Sequence, residues 1–358
     1  MSWSCGIVGL PNAGKSTLFK ALTAVDVAID SYPFTTIDPN VAVVPLKDSR
    51  LEALAELCAS QKVTPPAIRV VDVAGLVKGA SRGEGLGNRF LGELCTVDLL
   101  IHVVAGYDYP YAPGNGPASR AAIVNLELIL ADLETVGRRK EKIQPQLKSG
   151  SREAAREKLF LERLENHLQG GLPARLLPLE EGERAFLEQL FLLTSKKVLY
   201  VFNGAENGVA AKPPPELMEM ARAEESPLIS LCARLEAEIG ELPAEERVPF
   251  LQEYGLEEPQ TDKLLRECRR LLDLIAFYTV KGEEARAWLV PRGTTALGAA
   301  GKVHTDMARG FINAEVITWD RLLEAGGLAA AREAGAVRTE GRDYIVADGE
   351  VLYFRFRG

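Results

Sequence analysis

The sequence predicts an α/β fold with a mostly parallel sheet, a helical segment inserted into it, and a C-terminal α+β module. Three observations support this. Short β-branched runs alternate with helical segments, a segment rich in Leu, Glu, Lys, Arg and Ala interrupts them, and mixed strand and helix signals follow. We expect a discontinuous first domain (1–121 and 194–274), a helical, coiled-coil-like insertion (122–193) and a C-terminal domain (275–358).

The predicted sheet is built from apolar runs of strand length. They cover residues 5–9, 68–73, 99–105 and 198–202, and residues 227–231 form a later candidate. Because helical segments separate these runs, successive strands should lie parallel, with helices on both faces of the sheet.

The predicted insertion is broken by glycines and carries a local positive charge. Gly150-Ser151 and a second break at residues 170–173 predict a helical hairpin. The chain has a net charge of −8, which argues against nonspecific coating of nucleic acid. Residues 138–158, however, contain eight basic and three acidic residues, a net charge of +5. This basic stretch is either a contact for RNA or a solvated helical face.

The C-terminal module shows mixed signals. Residues 287–290 and 314–318 are strand candidates, and residues 295–308 are helical with a His-Thr-Asp interruption. Two further apolar runs, 344–346 and 351–356, flank Asp348-Gly349, and this pair predicts a short β-hairpin.

Composition narrows the cellular setting. The 358 residues include five cysteines and no Cys-x-x-Cys pair, which is typical of reduced thiols in the cytosol. The longest apolar runs fall far short of the roughly 20 residues that span a bilayer. We therefore expect a cytoplasmic protein of two or three units with no membrane partner.

A phosphate-binding loop follows the first strand. Gly9-Leu-Pro-Asn-Ala-Gly-Lys-Ser-Thr17 matches the P-loop pattern, with an apolar strand before it and an amphipathic helix after it. The glycines let backbone N–H groups face phosphate oxygens at a helix N-terminus. Lys15 is expected to reach the β- and γ-phosphates, and the Ser16 hydroxyl to bind Mg²⁺. The predicted nucleotide-binding residues of this loop are Asn12, Ala13, Gly14, Lys15, Ser16 and Thr17.

Two further segments complete the predicted phosphate site. Asp72-Val-Ala-Gly75 ends a strand, so Asp72 is expected to contact Mg²⁺ through water and the Gly75 N–H to approach the γ-phosphate. In Tyr32-Pro-Phe-Thr-Thr-Ile37, Thr36 is expected to bond both Mg²⁺ and the γ-phosphate, unless Thr35 and Thr36 are edge-strand residues. The predicted metal ligands are thus Ser16, Thr36 and Asp72, and the predicted catalytic residues are Lys15, Thr36 and Gly75.

The segment that should contact the base departs from the guanine pattern. Guanine-specific enzymes of this architecture carry Asn-Lys-x-Asp after a buried strand, whereas here Asn203-Gly204-Ala205-Glu206 follows residues 198–202. The lysine is missing and the acid is one methylene longer, so the carboxylate no longer fits the paired donors of guanine. ATP therefore becomes a plausible ligand, with Asn203, Gly204 and Glu206 as base contacts. Cys232 and Ala233 follow the later strand candidate, where a second base-contacting loop is expected.

Together these motifs resemble the YchF family, the Obg-like ATPases within the translation-factor class of P-loop proteins. The resemblance covers essentially the whole chain and rests on Gly9-Leu-Pro-Asn-Ala-Gly-Lys-Ser-Thr17, Tyr32-Pro-Phe-Thr-Thr36, Asp72-Val-Ala-Gly-Leu-Val-Lys-Gly-Ala-Ser81, Gly83-Glu-Gly-Leu-Gly-Asn88, Asn203-x-x-Glu206, Ala300-Gly-Lys-Val-His-Thr-Asp306 and Gly310-Phe-Ile312. It implies a G domain with a helical insertion and a C-terminal TGS domain, a ubiquitin-like β-grasp module. It also implies hydrolysis of ATP in preference to GTP, and binding to the ribosome, as its large subunit or the 70S particle.

The resemblance also bears on catalysis. Leu76 occupies the position where Ras-like enzymes carry a water-positioning glutamine, so intrinsic hydrolysis should be slow. In relatives with a P-loop asparagine such as Asn12, a K⁺ ion can sit beside the phosphates, which makes K⁺ a second candidate cofactor beside Mg²⁺. His102 lies in an apolar strand and is expected to be a core residue. His167 falls in the insertion and His304 in the C-terminal module, so the catalytic base stays unassigned.

Three functions fit the sequence. The first is an ATP-hydrolysing regulatory switch that acts on the translation machinery. The second is a guanine-specific GTPase switch, against which Glu206 and the absent lysine argue. The third is an RNA- or ribosome-binding module in which hydrolysis is incidental. In residues 275–358 eleven basic residues balance eleven acidic ones, so bulk charge does not favour RNA binding there.

Overall fold

Two six-stranded sheets form the framework of the computed structural model, which describes residues 3–24, 40–73, 92–107, 116–205 and 212–357. The first sheet has the strand order β2-β4-β1-β5-β6-β7 and the second the order β11-β10-β12-β8-β9-β3. The strands of the first sheet are β1 (Ser4–Val8), β2 (Val41–Pro45), β4 (Ala67–Asp72), β5 (Leu99–Ala105), β6 (Lys197–Asn203) and β7 (Leu228–Leu231). Those of the second are β3 (Lys62–Thr64), β8 (Leu274–Lys281), β9 (Glu284–Pro291), β10 (Phe311–Thr318), β11 (Arg338–Glu340) and β12 (Glu350–Phe356).

The first sheet confirms the predicted parallel α/β architecture. Strands β4, β1, β5, β6 and β7 are parallel, and only the edge strand β2 is antiparallel to its neighbour. Every residue of β5 is buried, as expected for a central strand with helices on both faces. Consequently the carboxyl ends of β1, β4, β5 and β6 meet at one edge of the sheet, where a ligand site is expected in this topology.

Helices cover the sheet and extend from it. In the first part of the chain they are α1 (Lys15–Thr23), α2 (Ser49–Leu57), α3 (Pro117–Lys142), α4 (Gln144–Lys148), α5 (Arg152–Gln169), α6 (Glu183–Leu190), α7 (Pro215–Ala223), α8 (Ala233–Glu241), α9 (Ala244–Glu253) and α10 (Gln260–Leu271). The last four are α11 (Ala296–Val303), α12 (Thr305–Arg309), α13 (Trp319–Glu324) and α14 (Leu328–Glu333). No helix of the described residues is both long and apolar enough to cross a bilayer.

The helical hairpin is formed by α3 and α5. Its apolar core includes Val136, Phe160 and Leu164, all fully buried. The turn between the two helices ends where the Ser151 hydroxyl accepts a hydrogen bond from the Ala154 N–H and so caps α5. The break at Gly150-Ser151 therefore separates two helices, as the sequence predicted.

A buried carboxylate fastens this hairpin to the sheet. Asp132 of α3 accepts hydrogen bonds from the backbone N–H groups of Leu193 and Thr194, both at 2.8 Å, just before β6 begins. Burial raises the pKa of Asp132 to about 6, although the hydrogen bonds from Thr194 oppose that rise. The contact fixes the start of β6, which leads to the predicted base site.

The second sheet recruits a strand from the first part of the chain. β3 pairs in parallel with β9, so Lys62 lies beside Glu284. Further contacts join the N-terminus of α2 to the second sheet and the turn before β12: the Tyr278 hydroxyl donates to Asp48 at 2.7 Å, and Arg50 donates to Asp348 at 2.7 Å. The division into domains made from the sequence stays a prediction, and these contacts cross its boundary near residue 274.

The predicted hairpin around Asp348-Gly349 was wrong. β12 pairs with β10 and β8, whereas residue Ile345 forms only an isolated bridge with Thr295. The physical reason is that the turn is bound to β8: the Asp348 carboxylate accepts a hydrogen bond from the Ala276 N–H at 2.7 Å, and Arg269 also pairs with it. Burial opposes ionisation of Asp348, but these partners and Arg50 hold its pKa below the usual value.

Candidate nucleotide-binding site

The P-loop, residues 9–17, joins the carboxyl end of β1 to the N-terminus of α1. Three of its residues have positive φ angles, Gly9 with 154°, Asn12 with 59° and Gly14 with 96°. The Ala13 N–H closes a turn onto the Leu10 carbonyl at 3.2 Å. The loop therefore curls over the first turn of α1, where backbone N–H groups have no helical partners and can face phosphate oxygens.

Lys15 is the first residue of α1, which follows β1, and Asp72 ends β4, the strand beside β1. The Lys15 ammonium is buried and donates to the Leu10 carbonyl at 2.9 Å. Burial lowers its pKa, and the negative charge of Asp72 acts in the opposite direction. β1 pairs with β4 so that Ile7 lies beside Asp72. These positions bring a cation and an anion together beside the P-loop.

Asp72 has the features expected of a metal-site residue. Its Oδ1 atom is buried and has no hydrogen-bond partner in the described structure. A buried carboxylate oxygen without a partner is costly unless another group satisfies it. Ser16, the other predicted Mg²⁺ ligand described here, is exposed in the first turn of α1. Oxygen donors of this kind suit Mg²⁺, which usually keeps several waters and bridges phosphates.

Several predicted site residues fall outside the described ranges. They are Thr36 and Gly75, predicted to act at the γ-phosphate, Leu76 beside them, and Glu206 of the base segment. Their predicted roles stay predictions.

Asn203 connects the P-loop to the base segment. Its Nδ2 atom donates to the Ala13 carbonyl at 2.9 Å, and its Oδ1 atom accepts from the Ala233 N–H at 2.9 Å. A Cβ atom on Gly14 would lie 2.1 Å from this Nδ2 atom, so only glycine fits there. Asn203 thus joins three of the predicted contact segments through two buried hydrogen bonds.

A cavity of about 440 Å³ opens beside this bridge. Its volume lies within the range typical of small-molecule sites. The predicted residues that line it are Gly14, Thr17, Asn203, Gly204, Cys232 and Ala233. The Gly204 N–H donates to the Leu231 carbonyl at 2.8 Å, which holds the end of β6 against the end of β7. The structure therefore brings the P-loop and the described part of the base segment around one cavity.

Sequence reasoning missed three residues of the cavity, Tyr107, Ala205 and Arg234. The Tyr107 hydroxyl donates to the Asn12 carbonyl at 2.5 Å, and Arg234 lies in the first turn of α8. Tyr107 lies two residues after the end of β5, at the carboxyl edge of a parallel sheet. That position could have identified it as a residue of the ligand site.

Two family models match parts of this chain. A family model described as a 50S ribosome-binding GTPase matches residues 4–144, and the C-terminal YchF-GTPase model, described as a protein of unknown function, matches residues 274–357. A "Ribosome-binding ATPase YchF" of Bacillus subtilis is 43% identical over 99% of this chain and 100% of its own length. This chain belongs to the YchF family.

Other members of the YchF family show the same full-length likeness. A "Ribosome-binding ATPase YchF" of Escherichia coli O157:H7 is 43% identical, and the match covers 99% of each chain. The solved structure of the Schizosaccharomyces pombe YchF GTPase superposes with a TM-score of 0.88 at 29% identity, covering 99% of this chain and 98% of that one. The P-loop fold inferred from the sequence is thereby confirmed.

The three histidines are held away from the cavity in the described structure of this YchF-family chain. His102 is buried in β5, where burial lowers its pKa to about 3, so its imidazole is neutral at physiological pH. A ring nitrogen of His167 lies 3.0 Å from the Pro173 carbonyl, and His304 caps α12. The expectation that His102 is a core residue is confirmed.

Three of the eight basic residues at positions 138–158 form ion pairs within the helical hairpin. Arg139 pairs with Glu157, Lys140 with Glu165 at 2.7 Å and Lys158 with Glu162 at 3.6 Å. These contacts lie along α3 and α5 and neutralise part of the local charge. They favour the solvated-face interpretation over an RNA contact for these three cations.

Proposed function

We propose that this chain binds and hydrolyses ATP with Mg²⁺ and acts as a regulatory switch on the ribosome in the cytoplasm. The observation that carries the proposal is the Asn203 bridge, which joins the P-loop carbonyl of Ala13 to the Ala233 N–H beside one cavity. Ribosome binding and ATP hydrolysis are supported by the YchF relatives, whose names state both.

Preference for ATP over GTP rests on the base segment. Asn203 already uses one amide hydrogen and one oxygen lone pair in the bridge. Gly204 lies on the cavity wall at the position where guanine-specific enzymes carry lysine, and it offers no side chain. Together with the longer acid at position 206, this removes the features that select guanine, and we propose GTP as a weaker ligand.

Mg²⁺ fits the residues present. Asp72 offers a buried carboxylate oxygen without a partner, and Ser16 offers an exposed hydroxyl at the start of α1. We propose these two residues, with Thr36, as the protein side of the site. A bound Mg²⁺ supplies positive charge that offsets the charge on the β- and γ-phosphates. Lys15 adds a second, buried positive charge at the same loop.

K⁺ is proposed as a further activator through Asn12. Asn12 lies on the exposed side of the P-loop, and its backbone carbonyl is held by the Tyr107 hydroxyl. A fixed positive charge near the phosphates favours the charge distribution of the transition state, as an arginine finger does. Leu76 offers no amide to orient water, so this contribution should be measurable.

Steady-state release of phosphate from ATP tests the proposed function. We expect slow hydrolysis in NaCl and faster hydrolysis in an equal concentration of KCl, both dependent on Mg²⁺. Asn12→Ala should remove the K⁺ response with little loss of ATP affinity. Lys20→Ala, an exposed change on α1, is the matched control and should keep the response. No hydrolysis of ATP in either salt, alone or with ribosomes, contradicts the proposed enzyme, and equal rates in the two salts contradict the role of K⁺.

The alternative of an RNA-binding module makes a different prediction for the same protein. Binding through phosphate contacts weakens steeply as salt rises. The test is sedimentation of the protein with ribosomes at increasing KCl. If nucleotide state controls the association, the fraction of protein that sediments should depend only modestly on salt. A steep fall in binding that is independent of ATP favours the module.

A further inference from the structure

The first sheet ends in a strand whose outer edge pairs with no other strand of the described residues. β7 is the last strand in the order, next to β6. The Tyr200 N–H donates to the Pro227 carbonyl at 3.0 Å, and the Gly204 N–H donates to the Leu231 carbonyl. Because alternate residues of a parallel strand direct both backbone groups to the same neighbour, the N–H and C=O groups of Leu228 and Ser230 point away from β6. Edges of this kind pair readily with another extended chain.

A cleft of about 740 Å³ lies over this edge, and we name it the edge cleft. Leu228 and Ser230 lie at its base, Met218 and Arg222 of α7 on one side, and Lys263 and Arg270 of α10 on the other. Met218 is 43% exposed, which is high for a large apolar side chain. The cleft thus combines outward-facing backbone groups with apolar contact area, as sites that accept an added strand do.

Positive charge dominates the edge cleft. Four cations line it, Lys212, Arg222, Lys263 and Arg270, against a single acid, Glu225. Arg270 pairs with Glu267 at 2.8 Å, whereas Lys212, Arg222 and Lys263 form no ion pair with the described residues. All four side chains are exposed. Since the whole chain has a net charge of −8, this local excess is a specific feature of the cleft.

We propose that the edge cleft binds an acidic, extended peptide segment of a partner protein, which adds as a strand to β7. The backbone of the segment would pair with Leu228 and Ser230, and its Asp or Glu side chains would meet the cations on α7 and α10. A peptide is favoured over a nucleic acid because the edge of β7 presents alternating donors and acceptors. Phosphates accept hydrogen bonds but do not donate them, so they match only half of these groups. The site is separate from the nucleotide cavity and goes beyond the proposed function.

Fluorescence anisotropy with the full-length protein tests this proposal. The probe is a short labelled peptide of alternating Glu and Val, compared with the same peptide in which Lys replaces Glu. We expect the acidic peptide to bind and the basic one not to bind. The double change Arg222→Glu and Lys263→Glu should weaken binding about tenfold, since two attractions become repulsions. Lys148→Glu with Arg152→Glu, two exposed cations of the helical hairpin, is the matched control and should leave binding unchanged.

A second probe separates strand addition from charge attraction. Two N-methylated forms of the acidic peptide, one methylated at odd-numbered and one at even-numbered residues, lose backbone donors and keep every charge. Only one of these two sets of N–H groups faces β7 in an added strand, so we expect one form to lose binding and the other to retain it. Equal binding of both N-methylated forms overturns the proposal. A competition experiment with a single-stranded oligonucleotide of equal charge gives a second test. If the oligonucleotide displaces the peptide, and its own binding is weakened by the Arg222 and Lys263 changes, the cleft binds phosphate and the proposal is overturned. Circular dichroism and ATP binding confirm that each variant is folded.

Discussion

Replacement of Lys15 by alanine should abolish tight binding of Mg²⁺–ATP and leave the protein folded. The ammonium is buried at the P-loop, and charge-assisted hydrogen bonds to phosphate are among the strongest available to a side chain. We expect a loss of about a hundredfold in affinity, roughly 2.7 kcal/mol. The free energy of unfolding should change little, because two effects offset each other. The variant loses the 2.9 Å hydrogen bond to the Leu10 carbonyl, but it also loses the cost of burying the Lys15 charge, which is evident in the lowered pKa of Lys15.

Lys20→Ala provides the matched control for this change. Lys20 lies on the same helix, its side chain is 66% exposed, and it pairs with Glu241 at 2.6 Å. Its removal should leave ATP affinity unchanged within experimental error. Calorimetric titration of both variants with Mg²⁺–ATP, together with their thermal unfolding, provides the comparison. Unchanged ATP affinity in a folded Lys15→Ala protein is incompatible with the assigned phosphate site.

Asn203→Ala should weaken both the fold and the nucleotide site. The change leaves the Ala13 carbonyl and the Ala233 N–H buried without their side-chain partner. Each buried group left unsatisfied costs about 1–3 kcal/mol, so we expect a decrease of about 2–6 kcal/mol in the free energy of unfolding. Because the same bonds hold the P-loop against the base segment, ATP affinity should also fall at least about tenfold.

Asn125→Ala separates these two effects. Asn125 is a half-buried amide of α3 that donates to the Tyr200 hydroxyl at 2.7 Å and to Glu224 at 2.9 Å, and it does not line the nucleotide cavity. It should destabilise the fold while leaving ATP affinity unchanged in the folded protein. Denaturant unfolding and titration of both variants distinguish them. If Asn203→Ala retains full ATP affinity, the bridge is only structural.

Local patterns predicted the parts of the molecule that depend on neighbouring residues. The buried runs of β5 and β6 are continuous and β-branched, and the P-loop has fixed spacing, so both were evident in the sequence. Asn203 was predicted as a base contact because it ends a buried strand of a parallel sheet, and in the structure its amide contacts the P-loop. The bond to Ala13 was not predicted, since it joins residues 190 positions apart.

Long-range pairing set the limit of prediction. β3 has three residues and no distinctive pattern, yet it completes the second sheet by pairing with β9 more than 200 positions later. The Asp348-Gly349 turn has a local hairpin pattern, but Ala276 and Arg269 bind the carboxylate and direct the following strand to β8 and β10. In both cases a distant partner determines the structure of the segment. The pattern of residues within the segment does not identify that partner.

Calorimetric titration of the unmodified protein with ATP and with GTP, each with Mg²⁺, tests the central claim most directly. The absence of a lysine at Gly204 and of an aspartate at position 206 predicts that ATP binds at least as tightly as GTP. The same titration of the combined Gly204→Lys and Glu206→Asp variant should shift the preference toward GTP. If the unmodified protein binds GTP about a hundredfold more tightly than ATP, a difference of roughly 2.7 kcal/mol, the site is that of a guanine-specific switch and the proposed ATPase is contradicted.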